Sequence, residues 1–168
     1  MENVYKSNPT AEQFQNPGYE YLKLIYLMKD AQAYASSQSA SPHYFPLLAL
    51  QMARRAIDEY VNLIGRQIDS AWDEIDHESA SIKERVVHIH KKIGKPVDLK
   101  KGIWEDVLTL CDTAGCIHTN PSEFRNAREA EIPENYRDAA TKYPIHRSQA
   151  IAEEAVEALL ACSKGNNS

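Results

Sequence analysis

The sequence predicts an all-α fold, a helical bundle of about five main helices with short extra helices between them. Three observations carry this reading. Apolar residues recur at three- and four-residue spacing through several long segments, the pattern that builds one buried face along a helix. No segment alternates apolar and polar residues with the period of two that a half-buried strand needs. The breaks between periodic segments carry helix punctuation: asparagine-proline pairs, a serine-glutamate cap and isolated glycines.

Residues 1–16 are expected to form a flexible N-terminus, 17–164 one helical-bundle domain and 165–168 a disordered tail. Asn16-Pro17 has the form of a helix start, an asparagine cap with proline in the first helical position, and the first helix is expected to reach about Ser37. Ser36 to Pro46 collects serines and two prolines, a connector composition. The run LLALQMARRAIDEYVNLIGRQI follows, with Leu48, Met52, Ile57, Val61 and Ile64 on a core face and Arg54, Arg55, Asp58 and Glu59 on the opposite one. This second helix should be central.

Ser81-Ile82-Lys83-Glu84 matches the capping box, in which the serine hydroxyl and the glutamate carboxylate each take up one backbone amide that the first turn leaves free. The third helix should stop at Gly94, before Pro96, because glycine enters the left-handed region at low cost and proline cannot continue the ladder. Asp98 is placed to cap the fourth helix, expected from about Leu99 to His118. There Ile103, Val107, Leu110, Cys111, Ala114 and Ile117 form an inward stripe. Asn120-Pro121 repeats the asparagine-proline start, and the polar stretch up to Pro144, broken by Pro133, should hold one or two short helices. A last helix from about Ser148 to Cys162 turns Ile151, Ala155, Ala158, Leu159 and Cys162 inward, with Gly165 as its stop.

A length of 168 residues suits one domain with a real core. The longest apolar stretch, around Tyr21 to Met28, is interrupted by Lys23 and falls short of the roughly 18 apolar residues of a membrane span, so no membrane association is expected. The polar N-terminus lacks the form of a signal peptide, which predicts a cytoplasmic location. Cys111, Cys116 and Cys162 are odd in number and lack CxxC spacing, as expected of reduced, buried thiols. The net charge of −5 argues against a surface that attracts nucleic acid everywhere. A local patch exists between Lys83 and Lys101, where Lys83, Arg85, Lys91, Lys92, Lys95, Lys100 and Lys101 face only Glu84 and Asp98. Such a run is either a solvated face or a seat for phosphates.

His118 is the leading candidate for chemistry. It continues the inward stripe four residues beyond Ala114, at the rim of the core, and an imidazole exchanges protons near neutral pH. The plainer role for a histidine there is to bond the last carbonyls of its helix and offset the negative end of the macrodipole. Metal binding is not expected. His88 and His90, two apart on a helix, point to different sides, and Cys111 and Cys116 lack the close paired spacing of zinc ligands. No GxSxG motif occurs, and the acidic cluster Asp73, Glu74, Asp76 and Glu78 has the composition of a solvated loop.

The core helix ARRAIDEYVNLIG, the capped SIKERVVHIHKKIGKPVD, the helix GIWEDVLTLCDTAGCIHT and the final amphipathic helix together resemble the HEPN superfamily of small helical bundles, from about Phe45 to Cys162. The resemblance implies a homodimer in which two copies of an Arg-Asn…His motif meet in a metal-independent ribonuclease site that uses no cofactor and leaves cyclic phosphate ends. His118 matches the family's histidine, but Thr113 and Ala114 stand where Arg and Asn belong. An always-charged guanidinium can fork onto a phosphate and threonine cannot, and loss of one such electrostatic contact commonly costs about 10²–10³ in rate. Arg125-Asn126 has the dipeptide without a following histidine at the right distance; Arg54, Arg55 or Arg125 could supply the charge through space.

Three functions follow as expectations. The first is a catalytically degenerate binding or regulatory component of a prokaryotic defence or toxin-antitoxin system, with RNA, a nucleotide or a protein as partner. Its phosphate contacts would come from Lys91, Lys92, Lys95, Lys100, Lys101 and Arg125. The second is an active endoribonuclease using His118 with a displaced arginine. The third is an oligomeric scaffold for protein–protein interaction.

Overall fold

The computed structural model describes residues 20–35, 40–74 and 80–164. Among the described residues there are six α-helices and three short 3-10 turns, and no strand. The helices are α1 (Glu20–Ala35), α2 (Tyr44–Ile68), α3 (Ile82–Lys92), α4 (Ile103–Gly115), α5 (Glu134–Lys142) and α6 (Ile145–Lys164). The Asn16-Pro17 start and both chain ends, 1–16 and 165–168, lie outside the described residues.

Helix α2 is the axis of the bundle and packs against each of the other five helices, most extensively against α1 and α6. Its core side, including Leu50, Ala53, Ile57, Tyr60, Val61 and Ile64, is buried throughout. The small Ala49, Ala53 and Ala56 let neighbouring backbones approach closely. Helix α2 begins at Tyr44, earlier than the connector composition predicts, and takes Pro46 into its first turn. Proline is tolerated there because a first-turn amide has no intrahelical partner to lose.

The capping box forms as expected: the Glu84 amide donates to Ser81 Oγ at 3.3 Å and the Ser81 amide to Glu84 Oε2 at 2.7 Å. At the other end of α3, Gly94 takes φ +67°. The Lys95 amide then reaches the His90 carbonyl at 3.1 Å and the Gly94 amide the Lys91 carbonyl at 3.2 Å, a Schellman closure.

Helix α4 differs from expectation at both ends. It starts at Ile103 behind Gly102, not near Leu99, and Asp98 caps no helix. Its carboxylate instead accepts from the Lys100 amide at 3.0 Å, a local turn that competes with helix. Helix α4 ends at Gly115, so His118 lies in the loop beyond it. Asn120-Pro121 does start a helical turn, but a 3-10 one, Pro121–Phe124, with Asn120 Oδ1 accepting from the Ser122 amide at 3.0 Å. That turn packs Phe124 into the core, and the polar stretch after it adds Ile132, Tyr136, Ala139 and Tyr143 around a further 3-10 turn and α5. Helix α6 is longer than predicted, starting directly after Pro144. No described helix is long and apolar enough to cross a membrane.

Candidate functional site: a cationic cavity beside His118

A cavity of about 1180 Å³ opens where α1, α2, the start of α3, α4 and the loop after α4 converge. Helix α2 supplies its floor, from Leu48 through Asn62, and the exit loop brings Ile117 to Pro121 to its edge. Leu24 and Leu27 of α1 form an apolar side, with Leu27 47% exposed. Arg54, Arg55, Lys83 and Arg85 line the cavity against two carboxylates, Asp58 and Asp112.

The three arginines differ in how they are held. Arg85 is 7% exposed, pairs with Asp58 through Nη2 and donates from Nη1 to Asn62 Oδ1 at 2.9 Å. Both Nη atoms are thus engaged, while its buried Nε has no partner among the described residues. Arg54 and Arg55 are exposed and make no ion pair or hydrogen bond with any described residue. Arg54 lies over the end of α4, with Nη1 3.5 Å from where a Cβ on Gly115 would stand.

Gln51, one turn before Arg54 on the same face of α2, donates from Nε2 to the Ala114 carbonyl at 2.9 Å and the Ile117 carbonyl at 3.4 Å. It adds a side-chain donor to the Ala114 carbonyl, which also accepts from the Ile117 amide at 3.2 Å, and so ties α2 to the exit of α4, the role a terminal histidine could have played. The His118 imidazole is exposed at the cavity edge instead. Its backbone amide donates to the Tyr136 hydroxyl at 3.1 Å, which ties the loop to α5. Hydrogen bonds from Thr119 and from the His118 amide hold the Tyr136 phenol below its ordinary pKa.

Thr113 turns its hydroxyl back along α4, donating to the Thr109 carbonyl at 2.7 Å, and is not among the residues lining the cavity. It offers the site no cation. None of Lys91, Lys92, Lys95, Lys100 and Lys101 lines the cavity, and neither does Arg125. Helix geometry explains the separation: Lys83 sits in the first turn of α3 and Lys91 in the last, about 12 Å apart along the axis at 1.5 Å per residue. Neighbours in the chain thus become opposite ends of a rod.

Several of the patch residues have other work. Lys92 pairs with Asp69 at 3.0 Å and Lys101 with Asp98 at 3.6 Å. His88 Nε2 also reaches Asp69 Oδ2, at 2.7 Å, and its ring meets Trp72 edge-on. His90 turns to the Lys95 carbonyl and Cys162 Sγ, so the two histidines have separate partners. Burial pushes the Cys111 thiol up to about 12, keeping it protonated at neutral pH. Cys116, expected to be buried, is exposed just past the end of α4, where the neighbouring Ile117 turns inward instead. Asp73 is exposed and pairs with Arg66 at 2.8 Å, while 75–79 of the acidic cluster lie outside the described residues.

Gln51, Asn62 and Tyr136 were not legible as site residues, because each acts across 18 residues of sequence or more. Arg54 and Arg55 were visible as a pair on the polar face of α2, but nothing local distinguishes a face turned to a cavity from one turned to bulk water. Compared with known protein families, curated proteins and solved structures, the chain matches none.

Proposed function

We propose that this chain is a HEPN-like domain that binds a phosphate-bearing ligand, foremost RNA, as the binding or regulatory component of a prokaryotic defence or toxin-antitoxin system. It works as a homodimer and does not cleave what it binds. One observation carries the reading: Arg54 and Arg55, both without a carboxylate partner among the described residues, open onto the same cavity as the exposed His118. Guanidinium groups that share a cavity with an imidazole suit phosphate oxygens, which they can contact in a forked, charge-assisted way. Thr113, held on the Thr109 carbonyl, supports binding over catalysis, since no motif cation stands on α4 itself.

The test is titration of labelled single-stranded RNA at about 50 and about 200 mM salt, because phosphate contacts release counterions and weaken steeply over that range. Binding that falls with salt and is lost in the Arg54→Gln/Arg55→Gln double variant supports the proposal. Absence of binding at the lower salt overturns it.

An active ribonuclease is the second reading, favoured by the position of Arg54 over Gly115, three residues before His118. RNA cleavage by the wild-type protein that disappears in His118→Ala would establish it and overturn the non-cleaving reading.

A further inference from the structure

Two adjacent arginines on one helix do not do the same job. At 3.6 residues per turn, Arg54 and Arg55 leave α2 about 100° apart, so one ligand group meets them differently. Of the pair, only Arg54 comes within 4 Å of where a Cβ on Gly115 would stand, with Nη1 at 3.5 Å, so its guanidinium lies over the end of α4. Gln51 has already taken the Ala114 and Ile117 carbonyls, so Arg54 is not spent on capping that helix. Asp58 and Asn62 hold both Nη atoms of Arg85, and its Nε, without a partner among the described residues, is buried away from a ligand in the cavity. Arg54 thus combines a place over the end of α4 with the lack of any hydrogen-bond or ion-pair partner among the described residues.

We propose that Arg54, seated on Gly115, grips one phosphate group together with His118, standing in from α2 for the cation that α4 lacks at Thr113. This rests on the phosphate-binding function above. The ligand chemistry is a phosphodiester of an RNA strand or the phosphate of a free nucleotide. The seat has a size limit. A Cβ at Gly115 would lie 3.5 Å from Nη1 and 4.0 Å from Cζ of Arg54, ordinary contact, and Gly115 does not have a positive φ. Alanine therefore fits without moving the guanidinium. The further carbons of leucine reach into the space over Gly115 that the guanidinium occupies and would displace it.

The experiment compares wild type, Arg54→Gln, Arg54→Lys, Arg55→Gln, Gly115→Ala and Gly115→Leu for binding of labelled single-stranded RNA at low salt. Thermal melting of each variant is run in parallel. Arg54→Gln and Gly115→Leu should each weaken binding about 10-fold or more, the scale of one charge-assisted hydrogen bond. Arg55→Gln should weaken it less, Gly115→Ala should match wild type, and Arg54→Lys should recover part of the loss by restoring charge without the fork.

Competition with a nucleoside monophosphate separates the ligand sources: displacement at equal phosphate concentration assigns a single nucleotide, and none assigns the strand. Wild-type binding that persists in Arg54→Gln, or in a folded Gly115→Leu, overturns the role of Arg54 while leaving phosphate binding intact. A wild-type protein that binds neither probe overturns both.

Discussion

At the scale of single residues, the cavity floor is set by how polar groups on α2 are partnered. Arg85 is a buried cation whose neutrality depends on Asp58, and removing one member of such a pair leaves an uncompensated charge that costs roughly 3–5 kcal/mol when both members are buried. The Asp58 side chain is 40% exposed and Asn62 keeps its bond to Arg85, so Asp58→Ala should cost less, about 2 kcal/mol. Urea unfolding gives the value, and an unchanged midpoint would refute the pairing. Arg54 and Arg55 have no such duty, and their substitution should leave the midpoint where it is. Stability and the proposed phosphate binding are thus separable along one face of α2.

At the scale of elements, helix ends and close approaches decide where the site lies. The Ser81–Glu84 box caps α3 at the cavity edge, and the hydrogen bonds from Ser81 hold the Glu84 carboxyl below its ordinary pKa. Ser81→Ala removes an N-cap and should cost about 1 kcal/mol in urea unfolding. A closer constraint lies at the end of α2. A Cβ on Gly65 would stand 2.2 Å from the ring of Trp72, itself 1% exposed, so the ring packs directly on helix backbone. Gly65→Ala gains helix propensity but forces the indole out of its place, and overpacking of this kind costs about 1–3 kcal/mol. Lower thermal stability with altered tryptophan fluorescence is the expected outcome, and stabilisation would contradict the packing. Trp72 also meets His88 edge-on, so its displacement would reach the Asp69 cluster.

At the scale of the whole molecule, the Asp69 cluster links the end of α2 to α3 and sets part of the acid response. Hydrogen bonds from His88 and then Lys92 lower the Asp69 carboxyl to about 2. A depressed folded value means the unfolded chain takes up the proton first, so this contribution is complete above the unfolded value near 3.9 and is lost as pH falls through about 2. Asp69→Asn should lower stability at neutral pH and flatten the loss between about pH 4 and 2, read from urea unfolding across a pH series. An unaltered acid limb would show that the cluster is not what acid disrupts. The all-helical class, the central α2, the Ser81 capping box, the Gly94 stop and the inward stripe of α4 were determined by the sequence alone, because periodicity and capping are local properties of a few consecutive residues. The start of α4 was not, since Asp98 satisfies a nearer turn and a local signal cannot rank two local uses of one carboxylate. Only the tertiary structure decided that Gln51 takes the end of α4, that Arg54 rests on Gly115 beside the His118 loop, and that the lysines from Lys91 to Lys101 do not line the cavity. These depend on which face of one helix meets which end of another, and that is settled by burial of the whole core at once.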